Sequence, residues 1–324
     1  MYTALCLCKL RLFAILTSVF SIHSLKINHH LLSIVSKRCA TSIIAASCAF
    51  HFHFNMYDAK MFFSISPSHA AEATLRPSKA EISAVFTSED WRDSEAAFTA
   101  EDFIRLDESP DALFYSVPRF VEHIDAPAVK ALTDFHTKQI KALSRDVYRD
   151  ESGRVSVLDL CSSWVSHLPP SYNGNTEKEG SSDRHIEVVG VGMNEEELRV
   201  NPQLTRYIVQ DLNQKPILAS FEDRSFDIVL LQLSIDYLTH PIDVLSEAGR
   251  ILRPGGKVLI SFSNRVFIDK AVAGWTGKAD IDHIETVGAY LKATKRFQEP
   301  LEAVDLSPSR DSDPLYVVIG TTST

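Results

Sequence analysis

The stretch "FDIVLLQLSIDYLTHPIDVLSEAGRILRPGGKVLISF", residues 226–262, decides the fold. It opens on an unbroken apolar run, 226–233, of the length and character of a strand covered on both faces. Pro241 then starts a segment in which Ile242, Leu245, Ala248 and Leu252 fall on one helical face, and Arg253-Pro254-Gly255-Gly256 stops it. A second apolar run, 257–262, follows at once. Strand, helix and strand in this order make a parallel crossover unit.

Working outward, further apolar runs occur at 155–160, 186–192, 206–212 and 315–320, with room for helices between several of them. Asn194 with Glu197 three residues on predicts a capping box. Asp125 before Ala126-Pro127 predicts an N-cap, and Val129, Leu132, Phe135, Ile140 and Leu143 continue a helical face through residue 143. Alternation of this kind implies a doubly wound α/β sheet with helices on both faces, whose ligands sit at the carboxyl ends of the strands. Residues 159–166, 190–194, 211–213 and 232–237 would then share one crevice. A short helix is expected in "SWVSHL" (163–168), and a surface loop in the polar insertion 171–185.

Composition separates the chain into three parts. Of 324 residues, 45% are hydrophobic and 23% charged, enough for a substantial core. Residues 1–70 read as a targeting leader: positions 1–57 hold Lys9, Arg11, Lys26, Lys37 and Arg38 but no acid, and their apolar pieces are short of the roughly 20 residues a membrane span needs. Two successive signals of this type would suit a plastid, with the thylakoid lumen as one destination and the secretory route as the alternative. Residues 71–108 read as a flexible linker, and 109–324 as the folded domain. Beyond the leader the charge is acidic, which argues against nucleic acid as a partner. Cys161 is the one cysteine past the leader, and the histidines there show no metal-type spacing, so no metal is expected.

With these elements placed, residues 211–262 resemble the second half of a class I S-adenosylmethionine-dependent methyltransferase of the type 11 kind. The resemblance is carried by Asp211 closing the third strand, by Phe221-Glu222-Asp223-Arg224-Ser225-Phe226-Asp227 entering the fourth, and by Arg250-Ile251-Leu252-Arg253-Pro254-Gly255-Gly256. It extends more loosely over about 111–320, and the chain also resembles a subgroup with Ser-Ser-Trp-Val-Ser-His after the first strand (162–167) and Ser-Phe-Ser-Asn-Arg after the fifth (261–265). The resemblance implies a mostly parallel, seven-stranded Rossmann-like sheet and S-adenosylmethionine as cofactor. Cofactor contacts would come from Asp159, Cys161, Ser162, Ser163, Gly190, Gly192, Met193, Asp211, Leu212 and Gln232. Substrate-facing candidates are Asp236, Tyr237, Asn264 and Arg265, and the acceptor would be a small or lipid-like molecule.

The first half departs from the family. Its Gly-x-Gly-x-Gly loop lets bare backbone approach the cofactor; here those places hold Cys161, Ser163 and Val165. The acid that ends the second strand and holds the ribose hydroxyls is replaced by Gly192. The hydroxyls of Ser162 and Ser163 are expected to donate to the cofactor's carboxylate, and Asp159 to order the loop by accepting backbone amides. Several readings stay open: Cys161 as nucleophile or small buried residue, Trp164 as stacking platform or core aromatic, His167 and His240 as bases or as caps. A non-catalytic scaffold that binds a protein partner has the same fold and is the alternative to an enzyme.

Overall fold

The computed structural model describes residues 76–89, 91, 97–143, 155–169 and 186–323, all within one compact unit, Cys48–Thr324. The leader and the 171–185 insertion lie outside the described residues. Seven strands form one sheet: β1 (Val155–Leu160), β2 (Ile186–Gly192), β3 (Arg206–Val209), β4 (Phe226–Gln232), β5 (Leu252–Phe262), β6 (Glu302–Asp305) and β7 (Tyr316–Thr321). Their order is β3-β2-β1-β4-β5-β7-β6. The first five pair in parallel, while β7 runs antiparallel to both its neighbours. Strand order reverses between β1 and β4, which is where a doubly wound sheet opens a crevice.

The apolar runs are continuous because the sheet is covered on both faces. Leu158 and Leu160 of β1, with Val229 and Leu231 of β4, join one core cluster; Val155, Val157, Ile228 and Leu230 join the other. This is the two-residue period of a strand written into two apolar layers. Helix α3 (Ala126–Leu143) packs on the second layer through Ala128, Leu132, Phe135 and Ile140. On the first lie α5 (Pro241–Ile251) and α6 (Asp280–Thr294), joined by α1 (Lys79–Ala84). Two short helices, α2 (Asp111–Phe114) and α4 (Glu195–Val200), flank the crevice.

Several expectations are corrected. Within the expected linker, Ile82 and Phe86 are buried to 0% and 1% exposure and Trp91 packs edge-on against Phe86. The Ser78–Glu81 capping box that starts α1 was legible in the sequence. No helix forms at 163–168; the segment is irregular loop. Strand β3 stops at Val209, and β5 begins at Leu252, with an irregularity in its register against β4 and Gly255 at φ +73°. Helix α6 and the short strand β6 were not anticipated.

Above the carboxyl ends of the strands, residues 102–125 form a roof pinned to the loop after β5. Ala273 and Gly274 donate their N–H groups to the carbonyls of Ile104 and Asp102, at 2.8 and 2.7 Å, and Asp107 donates to Asp269 at 2.8 Å. Fully buried Lys270 bonds the Ser109 carbonyl at 2.6 Å and lies 3.2 Å from Asp111, which also takes both-oxygen contacts of 2.8 Å from Arg105. A buried lysine persists only when its charge is met in this way. Burial alone would raise the Asp111 carboxyl, but Arg105, Asn213 and Lys270 hold it below its usual value.

Candidate functional site

A cavity of about 150 Å³ opens at the β1/β4 switch point, beneath the roof. Trp164 does not fill it: the side chain forms part of the wall, with its indole N–H donated to the Val121 carbonyl at 3.2 Å. Of the expected cofactor residues, Asp159, Cys161, Ser162, Ser163, Gly192, Met193, Asp211, Leu212 and Gln232 line the cavity; Gly190 does not, its Cα facing Leu204. Tyr237 and Arg265 line it as well, whereas Asn264 is not in its wall.

The loop after β1 is held by side chains rather than by glycine geometry. Asp159, 1% exposed, accepts the hydroxyls of Ser162 (2.7 Å) and Ser166 (2.8 Å) and the amide of Gln232 (2.9 Å). Asp159 therefore orders the loop through hydroxyl and amide donors, not through the backbone amides expected of it. Burial pushes its carboxyl up, opposed by those three bonds. Ser163 donates to Glu197 at 2.5 Å, so both serine hydroxyls are spent on protein carboxylates instead of facing a ligand carboxylate as donors. Asn201 bonds the Ser163 carbonyl and the Ser166 hydroxyl, both at 2.9 Å, and Gln203 bridges Ser166 N and the Leu168 carbonyl.

Gly192 explains how a loop with Cβ atoms fits. A Cβ at this position would stand 2.1 Å from the backbone oxygen of Ser162. The loop thus lies directly against the end of β2, tied there by Ser162 N–H to the Val191 carbonyl at 2.9 Å. Relative to the family pattern, bare backbone has moved from the loop to the strand it rests on. Cys161 takes φ +55° without being glycine, and two more non-glycine residues of the same wall, His167 and Leu233, have φ of +45° and +51°. Left-handed backbone in such residues costs of order 1 kcal/mol or more and concentrates at ligand sites.

Part of the wall differs from what the sequence leads one to expect. Asn194 caps α4 as expected, accepting from Glu196 N and Glu197 N. The Glu197 carboxylate does not complete a capping box; it turns into the site and accepts Arg119 N–H at 2.6 Å. Asp111, Tyr115, Arg119 and His123 reach the cavity from the roof, Asp111 from helix α2 and the other three from the irregular segment that follows it. Burial, then the Asp159 charge, pushes the Cys161 thiol up to about 12, which removes it as a nucleophile near neutrality. His167 is pushed down to about 4 and His123 is lowered, both chiefly by burial, so both imidazoles are neutral. Asp236, expected to face the substrate, is not in the cavity wall; it is buried, and burial pushes its carboxyl up to about 7.

Three buried polar atoms among the wall residues have no hydrogen-bond partner among the described residues: Asp211 Oδ2, Gln232 Oε1 and His167 Nδ1. Asp211 uses its other oxygen to accept Asn213 N at 2.9 Å and Gln214 N at 3.3 Å. Buried polar atoms are paired with few exceptions, so each of the three calls for a partner, which a water or a polar ligand would supply.

The strand order and the crevice at its switch point resemble those of a methyltransferase domain. Residues 177–260 match the methyltransferase domain family. The chain is 29% identical over 103 residues to malonyl-[acyl-carrier protein] O-methyltransferase of Marinomonas sp. (strain MWYL1), covering 32% of this chain and 35% of the relative. It is 26% identical over 140 residues to the mitochondrial 2-methoxy-6-polyprenyl-1,4-benzoquinol methylase of Caenorhabditis elegans, covering 42% and 47%. The matched stretches thus span less than half of either relative. Among solved structures, a protein from Listeria monocytogenes described as a "putative S-adenosylmethionine dependent methyltransferase" aligns with TM-score 0.38 at 12% identity, over 60% of this chain and 99% of that one.

Proposed function

We propose that the protein is an S-adenosylmethionine-dependent methyltransferase acting on a small-molecule or lipid-like acceptor. The observation that carries this reading is the open cavity at the switch point with its three unsatisfied polar atoms. Asp211 Oδ2 is an acceptor suited to the adenine amino group. Glu197, which already enters the wall, takes the place of the ribose-binding acid lost at Gly192. Asp159 and Asp211 give that side of the cavity a negative character suited to a sulfonium. The cofactor would supply an activated methyl group, and the chain's part is to hold acceptor and cofactor in line and exclude water, which accounts for much of the rate in such displacements. The names of the two curated relatives, one acting on a malonyl carrier and one on a polyprenyl quinol, support a small or lipid-like acceptor. A folded scaffold without catalysis leaves the unpaired atoms and the strained wall unexplained.

Thermal unfolding with S-adenosylhomocysteine tests this. A ligand present at 100 times its Kd stabilises the folded state by about 2.7 kcal/mol. A rise of several degrees supports the reading, and no shift at millimolar ligand would overturn it. We also propose that residues 1–70 deliver the chain to an organelle, a plastid first among them, on the strength of the acid-free leader. A mature N-terminus upstream of residue 50 would contradict that.

A further inference from the structure

The cavity is electrically divided. Asp159, Glu197 and Asp211 stand on the side of β1 to β3, whereas Arg119 comes from the roof and Arg265 from the loop after β5. The one acid of the roof in this wall, Asp111, is already bonded by Arg105, Asn213 and Lys270. Around the two arginines stand rings: Tyr115, Trp164, Tyr237 and Phe267 all line the cavity, and the Arg119 guanidinium lies 4.4 Å from the Phe114 centroid and 5.6 Å from that of Phe267. Such stacking fixes a guanidinium against an apolar wall.

Arg265 is held by one edge only. Its Nε–H donates to Asp313 Oδ1 at 2.9 Å. Asp313 is itself fixed: its other oxygen accepts Asp125 N–H at 2.8 Å, and its own N–H donates to the Asp125 carboxylate at 2.8 Å. That carboxylate also takes the Ser312 hydroxyl at 2.8 Å and caps α3 through Ala128 N–H at 2.9 Å. The clasp therefore runs from the start of α3 to the segment before β7, and it leaves the two terminal nitrogens of Arg265 without a hydrogen-bond partner among the described residues. Those nitrogens form the flat end of a guanidinium whose geometry matches a pair of anionic oxygens.

We infer that the methyl acceptor is an anion with an apolar body, docked by carboxylate or phosphate oxygens on the terminal nitrogens of Arg265. The apolar part lies against Tyr237 and Phe267, and the reacting atom faces the acidic half of the cavity. This rests on the methyltransferase reading, since it takes the acidic half as the cofactor's. The polarity of the cavity supports the division, for a cationic donor and an anionic acceptor would each meet the opposite charge. Asp313 is a positioning residue in this arrangement, not a catalytic one.

Calorimetric titration of the full chain saturated with S-adenosylhomocysteine, using octanoate, octyl phosphate and octanamide, tests the inference. At least one anion should bind tenfold or more tightly than the amide, and which of the two does so tells carboxylate from phosphate. The preference should vanish in Arg265→Gln and shrink in Arg265→Lys, with S-adenosylhomocysteine affinity within twofold of the parent. Arg265→Lys keeps the charge and serves if Arg265→Gln does not fold by circular dichroism. Equal binding of amide and anions, no binding of either anion, or a preference that survives Arg265→Gln overturns the inference. So does a matching loss of S-adenosylhomocysteine affinity in Arg265→Gln, because the arginine would then read the cofactor's own carboxylate. If the parent protein binds no S-adenosylhomocysteine, the methyltransferase reading fails separately, and the same titrations on the ligand-free chain still decide the question of the anion.

Discussion

Replacing Gly192 with aspartate would supply the acid common in the methyltransferase family that the chain resembles, and the structure says that it should damage this chain. A Cβ at 192 stands 2.1 Å from the Ser162 carbonyl oxygen, whereas real Cβ atoms essentially never approach closer than 3.0 Å. The oxygen must retreat by about 0.9 Å, and it belongs to backbone, not to a flexible side chain. Ser162 is anchored by its N–H on Val191 and its hydroxyl on Asp159, so retreat strains or breaks both. Overpacking costs about 1–3 kcal/mol and each weakened hydrogen bond about 0.5–1.5 kcal/mol. A loss of about 2–6 kcal/mol is expected, which for a domain of this size lowers Tm by roughly 4–24 °C. Gly192→Ala should show most of the same loss, because the clash is with Cβ and not with the carboxylate. Differential scanning calorimetry with S-adenosylhomocysteine titration reads both effects. If Gly192→Asp is as stable as the parent and binds the ligand more tightly, the exchange of bare backbone between loop and strand is refuted.

Further outcomes follow from the same wall. Cys161→Gly should leave stability within about 1 kcal/mol of the parent or raise it, because φ +55° suits glycine, while Cys161→Val should cost about 1–3 kcal/mol in urea melts; the reverse order would show that the left-handed turn is not what the position demands. Glu197→Ala removes the acceptor for Arg119 N–H and for the Ser163 hydroxyl, and should cost about 2–4 kcal/mol. Faster amide exchange around residue 119 should accompany it, and unchanged exchange would contradict the clamp. Asp236 has its carboxyl raised by burial to about 7, so the folded state binds its proton more firmly than the unfolded chain does. The stability this gives is present below about 4 and is lost as pH climbs through 7. Asp236→Asn should therefore gain on the parent between pH 4 and 7, and parallel stability curves for the two would count against a buried neutral acid.

Most of the fold was legible because buried parallel strands announce themselves as unbroken apolar runs, as in 155–160 and 226–232, and because Pro241 and Asn194 mark helix starts by local chemistry. Strand β6, "EAVD", is short and half charged, and its place beside β7 is set by pairing across the sheet rather than by its own composition. Residues 79–87 read as linker because serine, alanine and charge outweighed Ile82 and Phe86, although Ser78 and Glu81 carried the signal of a helix. For the site, the positions around the switch point followed from the strand ends. What holds them did not: Glu197, Asn201 and Gln203 bond a loop more than thirty residues earlier, and Gln232 bonds Asp159 from the neighbouring strand. Sequence shows that the glycines are absent; it takes the Ser162 carbonyl over Gly192 to show what replaced them.

The central claim is that this glycine-poor crevice still accepts an adenosyl ligand, and isothermal titration of the full chain with S-adenosylhomocysteine, beside Asp211→Asn, tests it most directly. Asparagine keeps the oxygen that accepts Asn213 and Gln214 but puts donors where Oδ2 stands unpaired, so the fold should hold while affinity falls about tenfold, or about 1.4 kcal/mol. The expected result is micromolar or tighter binding by the parent with that selective loss. A parent protein that is folded and gives no heat, or an Asp211→Asn variant that binds as tightly as the parent, would contradict the account.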